Sequence, residues 1–331
     1  MFTKDRLIGE GGSGSVYEVH DEEGLKFAIK VLDASKATHE KLKRFKNEIF
    51  FCIEKRHRNI LRILDHGLVL INGIEFPFYV MPIFEMSLRH LMKQGIAHDE
   101  ALPIFSQLID GIEAAHMFGV VHRDIKPENI LCNPNDNLFV VADFGIAHFT
   151  ENMLITAVET RDSERLANFQ YAAPEQRMKG KAVEKQADIY ALGLILNELF
   201  TGEIPIGTSY KTIAAVSSSY RYLDEIVASM IRQSPGDRIE SIDKVKQELI
   251  ARNNEFVARQ KLNEARSVVI KAKEISDPIV DDPIKLVSAD WEDGVLHIRL
   301  SQPVNQNEPP RLSRSAFYVS PATKTGVSSI A

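Results

Sequence analysis

A carboxylate, an amide and two basic side chains lie close together near the middle of the chain. The stretch is His122-Arg123-Asp124-Ile125-Lys126-Pro127-Glu128-Asn129. Groups of these types at this spacing can accept a proton from a bound hydroxyl and neutralise developing negative charge. The apolar runs 119–121 and 130–131 flank it, and we expect both to be short buried strands that hold it on a tight loop. The alternative is a polar turn between two strands, which so many specified residue types at fixed offsets disfavour.

A glycine-rich segment lies near the start of the chain between two apolar stretches. It contains Gly9, Glu10, Gly11, Gly12, Ser13, Gly14, Ser15 and Val16. The glycines let the backbone turn sharply and approach phosphate oxygens without a Cβ in the way. A dinucleotide-binding fold uses a similar loop but needs a helix directly after it. Residues 16–20 alternate like a strand instead, so we expect a strand–loop–strand unit.

Two charged residues stand out in the apolar stretches that follow. Lys30 interrupts the apolar run 27–31, and a lysine there needs an anionic partner unless it reaches water at the strand end. Residues 39–54 have apolar side chains at spacings of three and four, which predicts a helix. Glu48 falls beside the apolar stripe of that helix, and a solvated glutamate is the alternative reading. Further on, the buried strand predicted over 138–142 ends at Asp143-Phe144-Gly145.

These motifs in this order resemble the eukaryotic-type serine/threonine protein kinases, and the compact chain is similar to their bacterial branch. The resemblance covers about residues 3–252 and includes Ala173-Pro174-Glu175. Lys126, two positions after Asp124, is typical of serine/threonine rather than tyrosine kinases. The resemblance implies an α+β, two-lobed kinase fold, with a β-rich N-lobe over 1–81 and a mainly α-helical C-lobe over 82–252.

The resemblance also implies a role for each residue. Asp124 would be the catalytic base, Lys126 would neutralise the γ-phosphoryl charge, and Lys30 would contact the ATP phosphates and pair with Glu48. The implied Mg²⁺ ligands are Asn129 and Asp143. The implied nucleotide pocket consists of Gly9, Glu10, Gly11, Gly12, Ser13, Gly14, Val16, Ala28, Lys30, Met81, Ile83 and Leu131. The implied structural residues are Asp188, which would bond to the catalytic-loop backbone, and the buried pair of Glu175 and Arg238.

The segment over 146–172 carries both a departure from the family pattern and the expected control site. Asn168 stands where protein kinases usually carry a threonine that links the catalytic Asp and Lys. Arg123 directly precedes Asp124, and in kinases with this arginine a phosphorylated residue in the segment neutralises it. Thr160 and Ser163 are the candidates for autophosphorylation. The alternative to a phosphorylation site is a mobile loop whose hydroxyls are simply solvated.

Two other functions compete with a protein kinase. A pseudokinase would bind ATP without efficient transfer. Such proteins usually lack the lysine or one of the two aspartates that correspond to Lys30, Asp124 and Asp143, and this chain has all three. A small-molecule kinase of the aminoglycoside type would lack Ala173-Pro174-Glu175 and the long segment before it. We therefore expect ATP and Mg²⁺ as cofactors and proteins with Ser or Thr acceptors as substrates, and a homodimer through the kinase domain stays open.

The composition limits the partners and the compartment. The 331 residues carry a formal net charge of −6, so no basic excess exists to neutralise nucleic-acid phosphates. Cys52 and Cys132 are the two cysteines, and both lie in apolar contexts, which fits a reducing compartment. Without a signal peptide or an apolar run long enough to span a bilayer, we expect a cytoplasmic protein with no membrane partner.

The end of the chain does not resemble the family. We expect residues 253–300 to form an extension of unknown role, with an amphipathic helix that packs on the kinase body, followed by a β-hairpin over 284–300. Residues 301–331 are rich in Pro, Ser, Asn and Gln, and we expect them to be disordered.

Overall fold

The N-terminal sheet consists of antiparallel strands in the order β1-β2-β3-β5-β4. Their bounds are Thr3–Gly11 for β1, Gly14–His20 for β2, Lys26–Val31 for β3, Asp65–Ile71 for β4 and Ile74–Pro82 for β5. Our computed structural model describes residues 3–11, 14–32, 38–71, 73–144, 170–178, 180–207, 209–274, 286–292 and 295–300. The strands predicted on both sides of the glycine-rich segment are therefore present as β1 and β2.

Helix α1, His39–Glu54, packs on this sheet. The hydroxyl of Thr38 accepts a hydrogen bond from the backbone N–H of Lys41 and so caps the helix start. On the buried side of the helix, Phe45 contacts the ring of Tyr79 on β5 with centroids 5.2 Å apart. The predicted apolar stripe thus fixes which side of α1 faces the strands.

Gly14 shows why the loop between β1 and β2 needs glycine. Its φ is +128°, and a Cβ there would lie 2.5 Å from the carbonyl oxygen of Val31. Any larger side chain would push β2 away from β3. Gly12 and Ser13, which we predicted as phosphate-loop residues, lie outside the described residues.

The C-terminal part is mainly helical. Its helices are α2 Leu88–Gln94, α3 His98–Met117, α4 Lys185–Thr201, α5 Leu223–Met230 and α6 Ile242–Glu274. Every residue of α4 from Ala187 to Thr201 is buried, so α4 is the central helix around which the others pack. A small sheet of β6 Met86–Ser87, β7 Ile130–Asn133 and β8 Leu138–Val141 lies beside them. The predicted α+β class is confirmed.

One flank of the 122–129 stretch differs from the prediction. Residues 130–131 lie in β7, but residues 119–121 belong to no described strand, so the strand predicted there is wrong. Gly119 has φ +77°, and the N–H groups of Gly119 and Val120 donate to the carbonyls of His116 and Ala115. These bonds form a Schellman cap on α3. The backbone groups that a strand would need are therefore used to end the helix.

Residues Met1–Arg259 and Gln260–Ala331 form two units. The helix predicted around 258–272 is the last part of α6, which begins at Ile242. Ala258, inside the first unit, is exposed, so the predicted packing of this stretch on the kinase body is wrong at that residue.

The second unit contains one described hairpin. Strands β9, Leu286–Glu292, and β10, Val295–Leu300, pair antiparallel close to the predicted positions. Residues 301–331, for which we predicted disorder, lie outside the described residues. Among the helices that are described, none has the length and apolar character needed to cross a membrane.

Candidate active site

Asp188 holds the 122–129 loop from the core of the molecule. This α4 residue is 1% exposed, and its carboxylate accepts the backbone N–H groups of His122 at 2.8 Å and Arg123 at 2.7 Å. His116 on α3 contacts the same carboxylate at 2.8 Å. Arg123 has φ +66°, a conformation that costs energy in a non-glycine residue and persists only where its surroundings enforce it. The predicted structural contact of Asp188 is present.

Asp124, Lys126 and Asn129 converge at the mouth of this loop. Lys126 Nζ lies 3.0 Å from Asp124 Oδ2, and Asn129 Nδ2 donates to both the backbone oxygen and Oδ2 of Asp124, at 2.8 and 3.0 Å. Burial raises the pKa of Asp124, and the Lys126 ammonium opposes that rise. The three predicted residues therefore form one cluster with a carboxylate oriented by an amide and an ammonium.

Asp143 lies beside that cluster because β7 and β8 are neighbours. The N–H of Ala142 donates to the carbonyl of Asn129 at 2.8 Å, which fixes the residue before Asp143 against the loop. Phe144 is fully buried between the rings of His122 and Phe51. Although burial opposes it, the positive charges led by Lys30 lower the pKa of Asp143. The carboxylate is thus kept ionised.

An Mg²⁺ ion would fit the groups that this arrangement offers. Both N–H bonds of the Asn129 amide are directed at Asp124, which leaves its carbonyl oxygen as the ligand atom. Asp143 adds a carboxylate that is 27% exposed. Magnesium binds one or two protein oxygens and completes its shell with water and phosphate. The described residues contain no cluster of three or more His, Cys, Asp and Glu side chains that would favour another metal.

Lys30 joins the sheet to the helix and to Asp143. Its Nζ lies 3.2 Å from Glu48 Oε2 and 3.7 Å from Asp143 Oδ1. Lys30 is 6% and Glu48 2% exposed. Although burial alone would lower it, the pKa of Lys30 is raised by the carboxylates of Asp143 and Glu48. The predicted pair is present, and the alternatives of a snorkelling lysine and a solvated glutamate are wrong.

The predicted nucleotide-pocket residues that the structure describes lie on the N-terminal sheet, directly after its strand β5, or on β7. Ala28 on β3 is paired with Met81 on β5, and both are buried. Val16 on β2 lies opposite both Gly9 and Lys30. Glu10 and Gly11 continue β1, Ile83 directly follows β5, and Leu131 lies half-buried in β7.

Glu175 and Arg238 form the predicted buried pair. Arg238 Nη1 and Nη2 donate to the two carboxylate oxygens of Glu175 at 2.7 and 2.8 Å. The Glu175 side chain is 6% exposed and that of Arg238 is 0%. This bidentate contact fixes the end of the segment that precedes α4.

The comparisons with known proteins agree with this geometry. Residues 2–264 match the family model described as the protein kinase domain. The chain belongs to the protein kinase family. The chain resembles the kinase domain of PknI from Mycobacterium tuberculosis in the crystal structure of its C20A_R136A double mutant. The TM-score is 0.56 and the sequence identity is 25%. That match covers 77% of this chain and 95% of the PknI chain, so the predicted two-lobed fold is confirmed.

Curated bacterial kinases are similar over the same region. The chain is 33% identical over 235 residues to the probable serine/threonine-protein kinase PknB of Lactococcus lactis, covering 69% of this chain and 35% of the relative. It is 36% identical over 235 residues to the serine/threonine-protein kinase PrkC of Bacillus subtilis, covering 70% of this chain and 34% of the relative. The chain thus spans about a third of the length of these relatives, and the predicted resemblance to the bacterial branch is confirmed.

One cluster of the kinase domain escaped the sequence reasoning. Arg89 on α2 binds Glu128 of the 122–129 loop at 2.7 Å, the buried Glu198 of α4 at 2.6 Å, and the hydroxyl of Tyr171. Tyr171 in turn donates to Glu198. These partners lie 39 to 109 positions from Arg89 along the chain, so no local spacing pattern in the sequence could have predicted the contacts.

The structure does not describe the residues predicted to control the kinase domain. Thr160, Ser163 and Asn168 are outside the described residues. Their roles therefore stay predictions from the sequence.

Proposed function

We propose that the chain transfers the γ-phosphoryl group of ATP to Ser and Thr hydroxyls of proteins, as the names of its bacterial relatives suggest. The observation that carries the proposal is the position of Lys30, whose ammonium contacts Glu48 of α1 and Asp143 at once. One cation thereby links the nucleotide-covering sheet, the helix and a metal ligand. Such an arrangement positions phosphates and neutralises their charge, which is most of phosphoryl-transfer catalysis.

In this mechanism Asp124 is the base. It accepts the proton of the substrate hydroxyl, and Lys126, 3.0 Å away, balances charge on the transferred group. Asn129 orients Asp124 through its two N–H bonds and would hold Mg²⁺ together with Asp143. A bound Mg²⁺ would neutralise phosphate charge as it does in other kinases. Lys30 orients the α- and β-phosphates, and the loop around Gly11 covers them.

The alternative is a pseudokinase that binds ATP without efficient transfer. Asn168 is the feature that favours it, because the usual threonine helps to link the catalytic Asp and Lys. The close contacts among Asp124, Lys126 and Asn129 support transfer instead, since they orient the base without that threonine.

The decisive experiment follows the label from γ-labelled ATP. The purified chain is incubated with Mg²⁺ and casein, and the labelled amino acids are identified after hydrolysis. We expect phosphoserine and phosphothreonine, and none in an Asp143→Asn variant. Nucleotide binding without labelled casein or labelled chain would establish the pseudokinase.

We further propose that the chain phosphorylates itself at Thr160 or Ser163. The supporting contact is on Arg123, whose buried Nε has no hydrogen-bond partner among the described residues, while Nη2 donates to the carbonyl of Val183. Burial lowers the pKa of Arg123, against the attraction of Asp188. A phosphate near this guanidinium would supply the missing acceptor.

The remaining assignments are also proposals. The net charge of −6 supports protein rather than nucleic-acid partners. Two buried free cysteines, Cys52 and Cys132, support a location in the reducing cytoplasm, where we propose a signalling role. We keep the lobes at 1–81 and 82–252, an extension at 253–300 and a tail at 301–331 as our domain division, with homodimer formation through the kinase domain still to be tested.

A further inference from the structure

Tyr79 is a buried polar residue that the mechanism above does not use. It lies in β5, is 1% exposed, and stands directly opposite Lys30 in the antiparallel register of β3 and β5. Directly opposed residues have their side chains on the same face of a sheet. The hydroxyl of Tyr79 donates a hydrogen bond to Glu48 Oε1 at 3.0 Å. A tyrosine on the sheet and the lysine beside it therefore contact the same carboxylate on α1.

The two donors divide the Glu48 carboxylate between them. Lys30 Nζ is 3.2 Å from Oε2 but 3.5 Å from Oε1, and Oε1 is the oxygen that Tyr79 binds. Burial raises the pKa of Tyr79 well above its usual value, so the hydroxyl keeps its proton and acts as a donor. A buried carboxylate needs a donor for each oxygen. Tyr79 therefore satisfies the oxygen that Lys30 reaches less closely.

The ring of Tyr79 adds a second contact to the same helix. It packs on Phe45, which precedes Glu48 by about one helical turn, with ring centroids 5.2 Å apart. A tyrosine side chain has few rotatable bonds and loses little conformational entropy when it is fixed in this way. Lys30, in contrast, carries a compact charge on a flexible stem and also serves Asp143. Tyr79 thus joins α1 to the sheet at two points through the stiffer of the two side chains.

From these contacts we propose that Tyr79 is a positioning residue that holds the Glu48 carboxylate where Lys30 can use it. This inference rests on the proposed phosphotransfer, in which Lys30 orients the ATP phosphates. Without the Tyr79 hydroxyl, Lys30 is the remaining donor to Glu48 of the two. The Lys30 ammonium is then drawn toward Glu48 Oε1 and away from the ATP phosphates. The expected loss is mainly in phosphoryl transfer, because Lys30 orients the phosphates while the other residues of the nucleotide pocket are unchanged.

The test removes the hydroxyl and keeps the ring. In Tyr79→Phe we expect kcat to fall about tenfold, the size of one hydrogen bond to a charged group, with KM for ATP within about twofold of wild type. The double variant Tyr79→Phe/Glu48→Gln should be no slower than Glu48→Gln alone, because both changes break the same contact. Tyr222→Phe, which removes the hydroxyl of a half-buried tyrosine whose ring packs on Phe256, is the matched control and should keep wild-type kcat.

Two kinetic results would overturn the inference. One is a kcat for Tyr79→Phe equal to that of wild type, and the other is a double variant whose loss is the product of the two single losses. Amide hydrogen exchange of residues 45–54 gives a readout that does not need phosphotransfer. Faster exchange of α1 in Tyr79→Phe supports the tether, and unchanged exchange refutes it. A wild-type chain that transfers no phosphate would refute the proposed function, and exchange alone would then decide the role of Tyr79.

Discussion

Two buried ion pairs lie in the two lobes, and their geometry differs. In the C-lobe, Arg238 binds both oxygens of Glu175 at 2.7 and 2.8 Å. Its other N–H groups donate to the carbonyls of Gln186, Arg232 and Gln233. All the donors of the planar guanidinium are therefore satisfied by the protein itself. Such a pair has nothing left to offer a ligand, and it holds the end of the segment before α4 in one place.

The N-lobe pair is looser and shared. Lys30 divides a single ammonium between Glu48 at 3.2 Å and Asp143 at 3.7 Å. An ammonium is a point charge with rotatable donors, so it can turn toward a phosphate without a change in the backbone. Burial of an ion pair therefore does not by itself reveal its role. What separates the two roles is how many N–H donors of the cation the protein already satisfies. A cation with all its donors satisfied is structural, whereas one with a free donor can still bind a phosphate.

The largest effect should come from breaking the C-lobe ion pair of Arg238 and Glu175. In Arg238→Met, Glu175 is left as a buried charge without a partner. Losing one member of such a pair costs about 3–5 kcal/mol of unfolding free energy, to be measured by urea denaturation. Arg252→Met is the matched control, since Arg252 pairs with an exposed Glu225, and should cost no more than about 1 kcal/mol. Equal losses of unfolding free energy in the two variants would show that the buried Arg238–Glu175 pair stabilises the fold no more than an exposed pair does.

Breaking the N-lobe pair should instead affect chemistry. In Lys30→Met the phosphate contact is lost, and we expect the transfer rate to fall on the order of 10²–10³-fold. The stability loss should be smaller than in Arg238→Met. Burial already raises the pKa of Glu48, so it can take up a proton, and Tyr79 still donates to it.

Lys26→Met is the control for this variant. Lys26 lies on the same strand, its side chain is 64% exposed and it pairs with Glu18. We expect it to keep the wild-type transfer rate, as measured with labelled ATP. If Lys30→Met unfolds as easily as Arg238→Met, the contrast between the two pairs is wrong.

A smaller effect should come from Arg123, a half-buried cation whose Nε has no hydrogen-bond partner among the described residues. If a phosphate completes its contacts, the Thr160→Ala/Ser163→Ala variant should lose activity at least about tenfold, or about 1.4 kcal/mol of barrier. Mass spectrometry of the chain expressed beside its Asp124→Asn form would locate the phosphate, and Thr150→Ala is the control within the same segment. Full activity without phosphate on this segment would leave Arg123 a structural role alone.

The sequence predicted the parts of the site that depend on local spacing. Asp124, Lys126 and Asn129 lie within one loop, so their convergence follows from a short turn. The pair of Lys30 and Glu48 was also predicted, because the resemblance supplied a contact that joins a strand to a helix. Both pairings are present, with Lys126 Nζ 3.0 Å from Asp124 Oδ2 and Lys30 Nζ 3.2 Å from Glu48 Oε2.

The remaining features depend on contacts that no local pattern encodes. Tyr79 reads as an ordinary apolar-strand residue until the register places it opposite Lys30. The Arg89 cluster joins α2, the catalytic loop and α4 through tertiary packing. The strand predicted over 119–121 failed because an apolar run of three residues cannot be told from a helix end whose N–H groups form a cap.

The central claim is that Asp124 is the base of a phosphoryl-transfer reaction, and one comparison tests it most directly. Wild type and Asp124→Asn are saturated with ATP and Mg²⁺, and the first turnover on casein is timed. The account predicts that transfer slows by about 10²–10⁴-fold while ATP affinity is unchanged. A variant whose rate stays within about threefold of wild type would contradict the account, because removing an essential base must raise the barrier of the chemical step.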